Sequence, residues 1–202
     1  VRLDHTDAHT VNRLRRNAQA PAAAVAALRM ARQAGFYTFI NAVASRDLIE
    51  SGEYRRIYDL AAQLDIQEVR FIEPKPCGRL ATVGQTHALD ISHTTTLRSF
   101  HRAMNRRGRG PKVCAFNEIE SAELFGCVAG TAHLYVDPSG DVCPCDFTPL
   151  SFGNIAQEPL NTIWQRMSGT LRQPRCHCLV QSHSELIAQE SAGQPYPLPP
   201  DV

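Results

Sequence analysis

The chain has 202 residues, 43% hydrophobic and 20% charged, a globular composition that excludes a disordered tail, a collagen and a coiled-coil rod at a length of about one and a third domains of roughly 150 residues. Lys plus Arg number 21 against 20 for Asp plus Glu, leaving a formal charge of +1, so no global field draws it to nucleic acid or an acidic membrane. The longest apolar run, Ala22 to Leu28, falls far below the roughly 20 residues of a membrane span, and polar Val1 to His9 gives no secretory signal, so a cytoplasmic location with reduced thiols is expected.

Val1-Arg2-Leu3-Asp4 alternates apolar and polar as a strand does, and a start inside a strand suggests that something upstream is missing. Pro21 followed by an alanine-rich run to Ala31, with Gly35 as the stop signal, predicts a helix with proline in its first turn. Phe36 to Ala44 is nearly unbroken in apolar residues and short enough for a strand buried on both faces. Ser51 opens a second predicted helix in which Tyr54, Ile57, Tyr58, Ala61 and Leu64 make a core-facing stripe. Ile66 to Glu73 follows as another strand. Two strands beginning about 30 residues apart with a helix between them have the length of a right-handed parallel crossover. Pro74-Lys75-Pro76-Cys77-Gly78 then forms a rigid loop at the carboxyl end of that strand, where ligand sites of α/β folds gather. Thr96 to Asn105 reads as helix and Lys112 to Phe116 as a short strand. The basic stretch of Arg106, Arg107, Arg109 and Lys112, interleaved with glycines, reads as a solvated loop.

After residue 125 small strands and turns replace the βα rhythm. His133 to Val136 is extended, Asp137-Pro138-Ser139-Gly140 is a turn, and Asp141-Val142 returns as the partner strand of a hairpin. Pro159, Leu160, Ile163, Trp164 and Met167 mark a short amphipathic helix. From Gly193 four prolines in eight residues make an extended tail.

Seven cysteines are an odd number, five of them after residue 126, which does not match the framework of a small secreted protein. A hairpin brings its ends together, so Cys127 can meet the Cys143 and Cys145 pair at its base, and the short helix lets the chain return with Cys176 and Cys178. Four thiolates meeting at one point select zinc or an iron-sulfur cluster. The Cys-x-Cys pairs favour a cluster over the wider spacings of zinc modules. Scattered buried thiols, disulfides and structural zinc remain the competing readings, and His177, between the last two cysteines, is a substitute ligand. Cys77 and Cys114, isolated beside apolar neighbours, read as packed thiols.

The run Gly126-Cys127-Val128-Ala129-Gly130, then Leu134 to Cys145, then Phe152-Gly153-Asn154-Ile155 and Ile163-Trp164 resembles the auxiliary-cluster region, the SPASM or twitch domain, of radical S-adenosylmethionine (radical SAM) enzymes. The spacing that carries the likeness is Cys127, twelve residues, Gly140, four residues and Cys145. Residues 1–80 are similar to later βα units of the same family's barrel. The resemblance implies an α/β fold: about three βα units of a partial parallel (β/α) barrel over residues 1–112, a small β-hairpin plus helix cluster-binding domain over 113–185, and a proline-rich tail over 186–202. It further implies that Cys127 and Cys145 bind an auxiliary 4Fe-4S cluster with Cys176 and Cys178 as the downstream pair. Cys143 is then extra, giving five candidates for four positions, with Cys127, Cys145 and Cys178 ranked first.

The family cleaves S-adenosylmethionine at a cluster held by a Cys-x-x-x-Cys-x-x-Cys trio. The cysteine spacings here are 37, 13, 16, 2, 31 and 2, so these residues hold no such trio, and the chain is not expected to cleave the cofactor alone. The expectation is a fragment or a degenerate radical SAM protein whose auxiliary cluster serves electron transfer or substrate binding in the oxidative modification of a peptide or small metabolite. Its partners would be that substrate and a missing amino-terminal half on another chain, with neither nucleic acid nor membrane. The alternative is a zinc-stabilised binding or scaffold module without redox activity.

Overall fold

The structure, a computed structural model, describes residues 1–77, 80, 89–191 and 197–198. The predicted loop residue Gly78 and most of the predicted tail lie outside them. The chain divides into two units, Val1–Pro74 with His87–Ile119, and Lys75–Thr86 with Glu120–Val202.

The first unit is a layered α/β structure. Its elements are α1 (Ala8–Arg15), α2 (Ala20–Gln33), β1 (Phe39–Val43), α3 (Arg46–Glu50), α4 (Glu53–Gln63), β2 (Glu68–Ile72), α5 (Ile91–Arg106), β3 (Lys112–Ala115) and the single turn α6 (Phe116–Ile119). The strands lie in the order β1-β2-β3, all parallel, with Ile40 opposite Val69 and Val69 opposite Val113. Each strand is followed by a helix because a parallel neighbour can be reached only by a crossover. Arg2 adds a parallel bridge to Asn41 at the free edge of β1.

Expected burial on both faces of the first strand gives way to alternation. Ile40 and Ala42, Val69 and Phe71, and Val113 and Ala115 are buried, while their strand neighbours are only partly covered or, for Lys112, exposed. The second face mixes polar and apolar groups: Arg70 pairs with Glu68 at 2.8 Å and stacks over Phe39, 3.6 Å from the ring centroid. Against the buried face, Phe100 of α5 meets Tyr54 and Tyr58 in edge-to-face pairs at centroid distances of 4.9 and 5.5 Å, the geometry aromatic quadrupoles favour.

The second unit carries a two-stranded antiparallel pair, β4 (Tyr135–Val136) and β5 (Val142–Cys143), and two helices, α7 (Leu160–Leu171) and α8 (Leu179–Ser191). Its core sets Ile163 and Met167 of α7 against Val142 and Phe152, with Trp164 packed alongside. The predicted amphipathic helix is therefore present, with Pro159 at its N-cap. Leu198 is buried and exchanges backbone hydrogen bonds with Pro149 and Ser151, so the tail is anchored at that residue. Among the described residues no helix is long and apolar enough to cross a membrane.

Candidate metal centre

Three local devices in the second unit decide where its cysteines go. The first is the turn joining β4 to β5. Asp137 accepts the backbone N–H groups of Ser139 and Asp141 on Oδ1, at 2.8 and 2.9 Å, as Asx turns do. Gly140 closes it at φ +91°, where a Cβ would lie 2.9 Å from Asn154 Oδ1. Asn154 seals the same turn by donating Nδ2 to the Ser139 carbonyl at 2.9 Å, and Ile155 N–H bonds the Gly140 carbonyl. The glycine between the two motif cysteines and the downstream Gly-Asn-Ile thus form one sealed turn.

The second device ties the ends of that region together. Gly130 N–H reaches the carbonyl of Pro144 at 3.0 Å, which holds the segment after Cys127 beside the residue between Cys143 and Cys145. The third returns the chain from α7: Cys127 N–H bonds the Arg175 carbonyl at 2.7 Å and Arg175 N–H bonds the Cys127 carbonyl at 3.0 Å. Arg175 immediately precedes Cys176, so this bridge lays the last cysteine pair alongside the first cysteine.

The five sequence-predicted ligands part company at this point. Cys127 is buried in an apolar cluster with Ala129 and Leu179, against which Cys145 packs. Cys178 directly precedes α8, takes the Ser182 N–H on its carbonyl at 3.0 Å, and is within electrostatic reach of Cys127. Cys127, Cys145 and Cys178 thus share one neighbourhood. Cys143 is buried within β5; burial foremost, then the charges of Asp137, Asp141 and Cys145, push its thiol up to about 12. Cys176 is exposed.

The sulfurs of the convergent set are supplied with donors. Burial raises the Cys145 thiol, while the Thr148 side chain and the backbone N–H groups of Phe147 and Thr148 favour its thiolate. Thr148 Oγ1 lies 3.0 Å from the Cys145 sulfur. Burial likewise raises Cys178, opposed by the charge of Lys75 and the Gln181 N–H. Hydrogen bonds of this kind orient thiolate ligands and tune a cluster's potential.

In the sequence Cys77 reads as an isolated packed thiol. The structure places it in the second unit, where burial, then the charges of Cys145, Asp146 and Cys178, raise its thiol and Lys75 lowers it. Cys114 lies in β3 of the first unit, opposite Arg70.

Among the described residues no group of three or more His, Cys, Asp or Glu is gathered so as to hold a metal ion. A single zinc ion asks for thiolates about 2.3 Å from one centre, whereas a multi-iron cluster spreads its ligands around a larger body. A set of thiols linked by packing of Cys145 against the Cys127 cluster and by the electrostatic reach of Cys178 to Cys127, walled by Ala129 and Leu179 and supplied with N–H and O–H donors, fits an iron-sulfur cluster in donor chemistry and surroundings.

Comparison with known proteins agrees. Residues 127–184 match the SPASM family, described as an iron-sulfur cluster-binding domain. An AdoMet-dependent heme synthase of Methanosarcina barkeri is 24% identical over 184 residues, covering 82% of this chain and 52% of the relative. That of Nitratidesulfovibrio vulgaris is 24% identical over 156 residues, covering 67% and 42%. The chain therefore spans about half the length of the curated relatives it matches. In fold it is similar to the crystal structure of Streptococcus suis SuiB bound to S-adenosylmethionine, with a TM-score of 0.57 at 13% identity over 84% of this chain and 43% of that one. These 202 residues are thus similar to a part of two AdoMet-dependent heme synthases, and residues 127–184 match the SPASM iron-sulfur cluster-binding domain.

Proposed function

We propose that this chain is the carboxyl-terminal, cluster-bearing part of a radical SAM protein. On this reading its first unit is about three βα units of a partial barrel, and its second holds an auxiliary 4Fe-4S cluster. The observation that carries the reading is the convergence of Cys127, Cys145 and Cys178 on one apolar neighbourhood, through the Cys127–Arg175 bridge and the Gly130–Pro144 bond. Cys143 and Cys176 remain the sequence-derived candidates for the fourth position.

A bound cluster would supply one-electron transfer or a Lewis-acidic iron for substrate. The chain's own contribution is to orient and shield it. Thr148 and the N–H groups of Phe147, Thr148 and Gln181 hold thiolate charge, and Cys127, Ala129 and Leu179 exclude water. Cleavage of S-adenosylmethionine would need a cysteine trio supplied from outside these 202 residues, including from a second chain. The two heme-synthase relatives support a small metabolite over a peptide as the molecule oxidised.

The test is anaerobic reconstitution of the chain with an equimolar mixture of ferrous and ferric iron and with sulfide. Four irons and four acid-labile sulfides per chain, with visible absorbance that bleaches on adding dithionite, are expected. A preparation that holds zinc and no sulfide refutes the reading.

A further inference from the structure

The loop that follows β2 in the chain belongs to the second unit, and its attachment there is specific. Lys75, with only 3% of its side chain exposed, directs Nζ to Gln181 Oε1 at 3.3 Å and to Glu120 Oε2 at 3.4 Å. Gln181 is the residue whose backbone N–H faces the Cys178 sulfur. The lysine therefore stitches its loop to the turn that presents Cys178. Two residues on, Cys77 is fixed by its own N–H to the Lys75 carbonyl at 2.8 Å and by the Leu80 N–H to its carbonyl at 3.0 Å. A proline on either side of Lys75 restricts that backbone further.

We infer that Cys77 is the fourth thiolate of the cluster site, completing a set with Cys127, Cys145 and Cys178 and leaving Cys143 and Cys176 outside it. This rests on the iron-sulfur reading above and deepens it, because Cys77 lies 50 positions before the matched segment of residues 127–184 begins. Three independent features agree. Cys77 is half-buried and within electrostatic reach of both Cys145 and Cys178. Its rivals are placed differently, Cys143 inside β5 beside Asp137 and Asp141, and Cys176 in solvent. Four thiolates around a 4Fe-4S core leave a net negative charge, and buried Lys75 is the cation at hand to offset it. Ligation forms one bond from Cys77 Sγ to an iron, releases the thiol proton to solvent, and changes no oxidation state. Iron and sulfide come from the reconstitution mixture.

The experiment compares reconstituted wild type with Cys77→Ala, Cys77→Ser, Cys145→Ala, Cys143→Ala and Cys176→Ala, using the full chain. The readouts are iron and sulfide per chain and electron paramagnetic resonance before and after dithionite. Circular dichroism of each unloaded variant confirms folding. The inference expects Cys77→Ala to lose its cluster or hold a three-iron form with its own resonance in the oxidised state. Cys77→Ser is expected to retain iron with a shifted spectrum, as an oxygen ligand would give, while Cys143→Ala and Cys176→Ala match wild type. Cys77→Ala with full iron and a wild-type spectrum, while Cys145→Ala loses its cluster, overturns the inference and leaves the cluster reading intact. Wild type that takes up no iron and sulfide overturns both.

Discussion

Gly126 is the position at which the cysteine arrangement is most exposed to a single methyl group. It sits at φ +67°, and a Cβ built there would lie 2.6 Å from the backbone carbonyl oxygen of Arg175. That oxygen is the acceptor of the Cys127 N–H at 2.7 Å, and as a backbone atom it cannot rotate away. Gly126→Ala therefore costs about 1–2 kcal/mol for a left-handed conformation. It also strains or breaks the two bridge hydrogen bonds, each contributing about 0.5–1.5 kcal/mol, for a total of about 2–5 kcal/mol. The second unit can be followed selectively, because the single tryptophan, Trp164, packs in its core. Urea unfolding of the reduced, unloaded chain by Trp164 fluorescence should shift by that amount. Iron and sulfide uptake should fall with it, since the bridge places Cys178 beside Cys127. Gly169, exposed in α7 with no heavy atom within 4 Å of a built Cβ, is the internal control. Gly169→Ala should be neutral or stabilise by up to about 1 kcal/mol. A Gly126→Ala chain within about 0.5 kcal/mol of wild type that loads normally would refute the idea that the Cys127–Arg175 bridge organises the site.

Other predictions concern individual groups. Burial alone would raise the Glu118 carboxyl, but Arg102 and Arg98, each at 2.6 Å, outweigh it and hold the carboxyl below its ordinary value. The stabilisation is thus fully present above the unfolded carboxylate value and is lost as pH falls through the lower folded one. Glu118→Gln should cost about 1–3 kcal/mol at neutral pH, discounted because both guanidiniums are partly exposed, and should flatten the acid limb of stability in a pH series of denaturation curves. Equal costs at pH 3 and pH 7 would contradict that assignment. Thr148→Val removes the hydroxyl 3.0 Å from Cys145 sulfur, so alkylation of Cys145 in the unloaded chain should slow at neutral pH. In the loaded chain the midpoint potential should move negative by on the order of tens of mV; an unchanged alkylation rate shows that the hydroxyl does not act on the sulfur. In native, reduced, unloaded protein, exposed Cys176 should be alkylated first and Cys143, buried with its thiol pushed up to about 12, last, as peptide mass analysis over time would show. Early modification of Cys143 would place β5 at the surface.

The sequence pattern is most informative where burial is one-sided and periodic. The stripe from Tyr54 to Ala61 is buried along α4, and the strand of Val69 and Phe71 pairs in parallel as its spacing implies. Failures occur where that signal is weak or misleading. Helix α1 buries only Val11 and owes its start to the Asp7 carboxylate on Thr10 N–H, a capping interaction in a run with no apolar stripe. Helix α3 is five residues long, capped by Ser45 on Leu48 N–H, and its presence displaces the expected start of the next helix from Ser51 to Gly52 at φ +73°. Phe36 and Tyr37 extended the apolar run that predicted β1, yet both are exposed and the strand starts at Phe39. Hydrophobicity without alternation measures affinity for a core and does not locate the ends of a strand.

The cysteines show the same division at the level of a site. Spacing is informative when two cysteines ride on one local structure, as Cys127 and Cys145 do around the Gly140 turn, because a fixed turn converts sequence distance into spatial distance. They are blind to a thiol delivered by a separate loop. What joins Cys77 to Cys178 is the reach of the Lys75 side chain to Gln181, 106 residues away in the chain, and no periodicity encodes an interaction of that range. The usable local sign is chemical: a lysine held between two prolines and followed closely by a cysteine sets a buried cation and a thiol on one stiff loop. Burying a cation is costly unless nearby negative charge offsets it. Glu120 answers that demand at 3.4 Å, and a thiolate-ligated cluster would add negative charge beside the same lysine, so the position of Lys75 and the ligand set proposed here support one another through the same electrostatic balance.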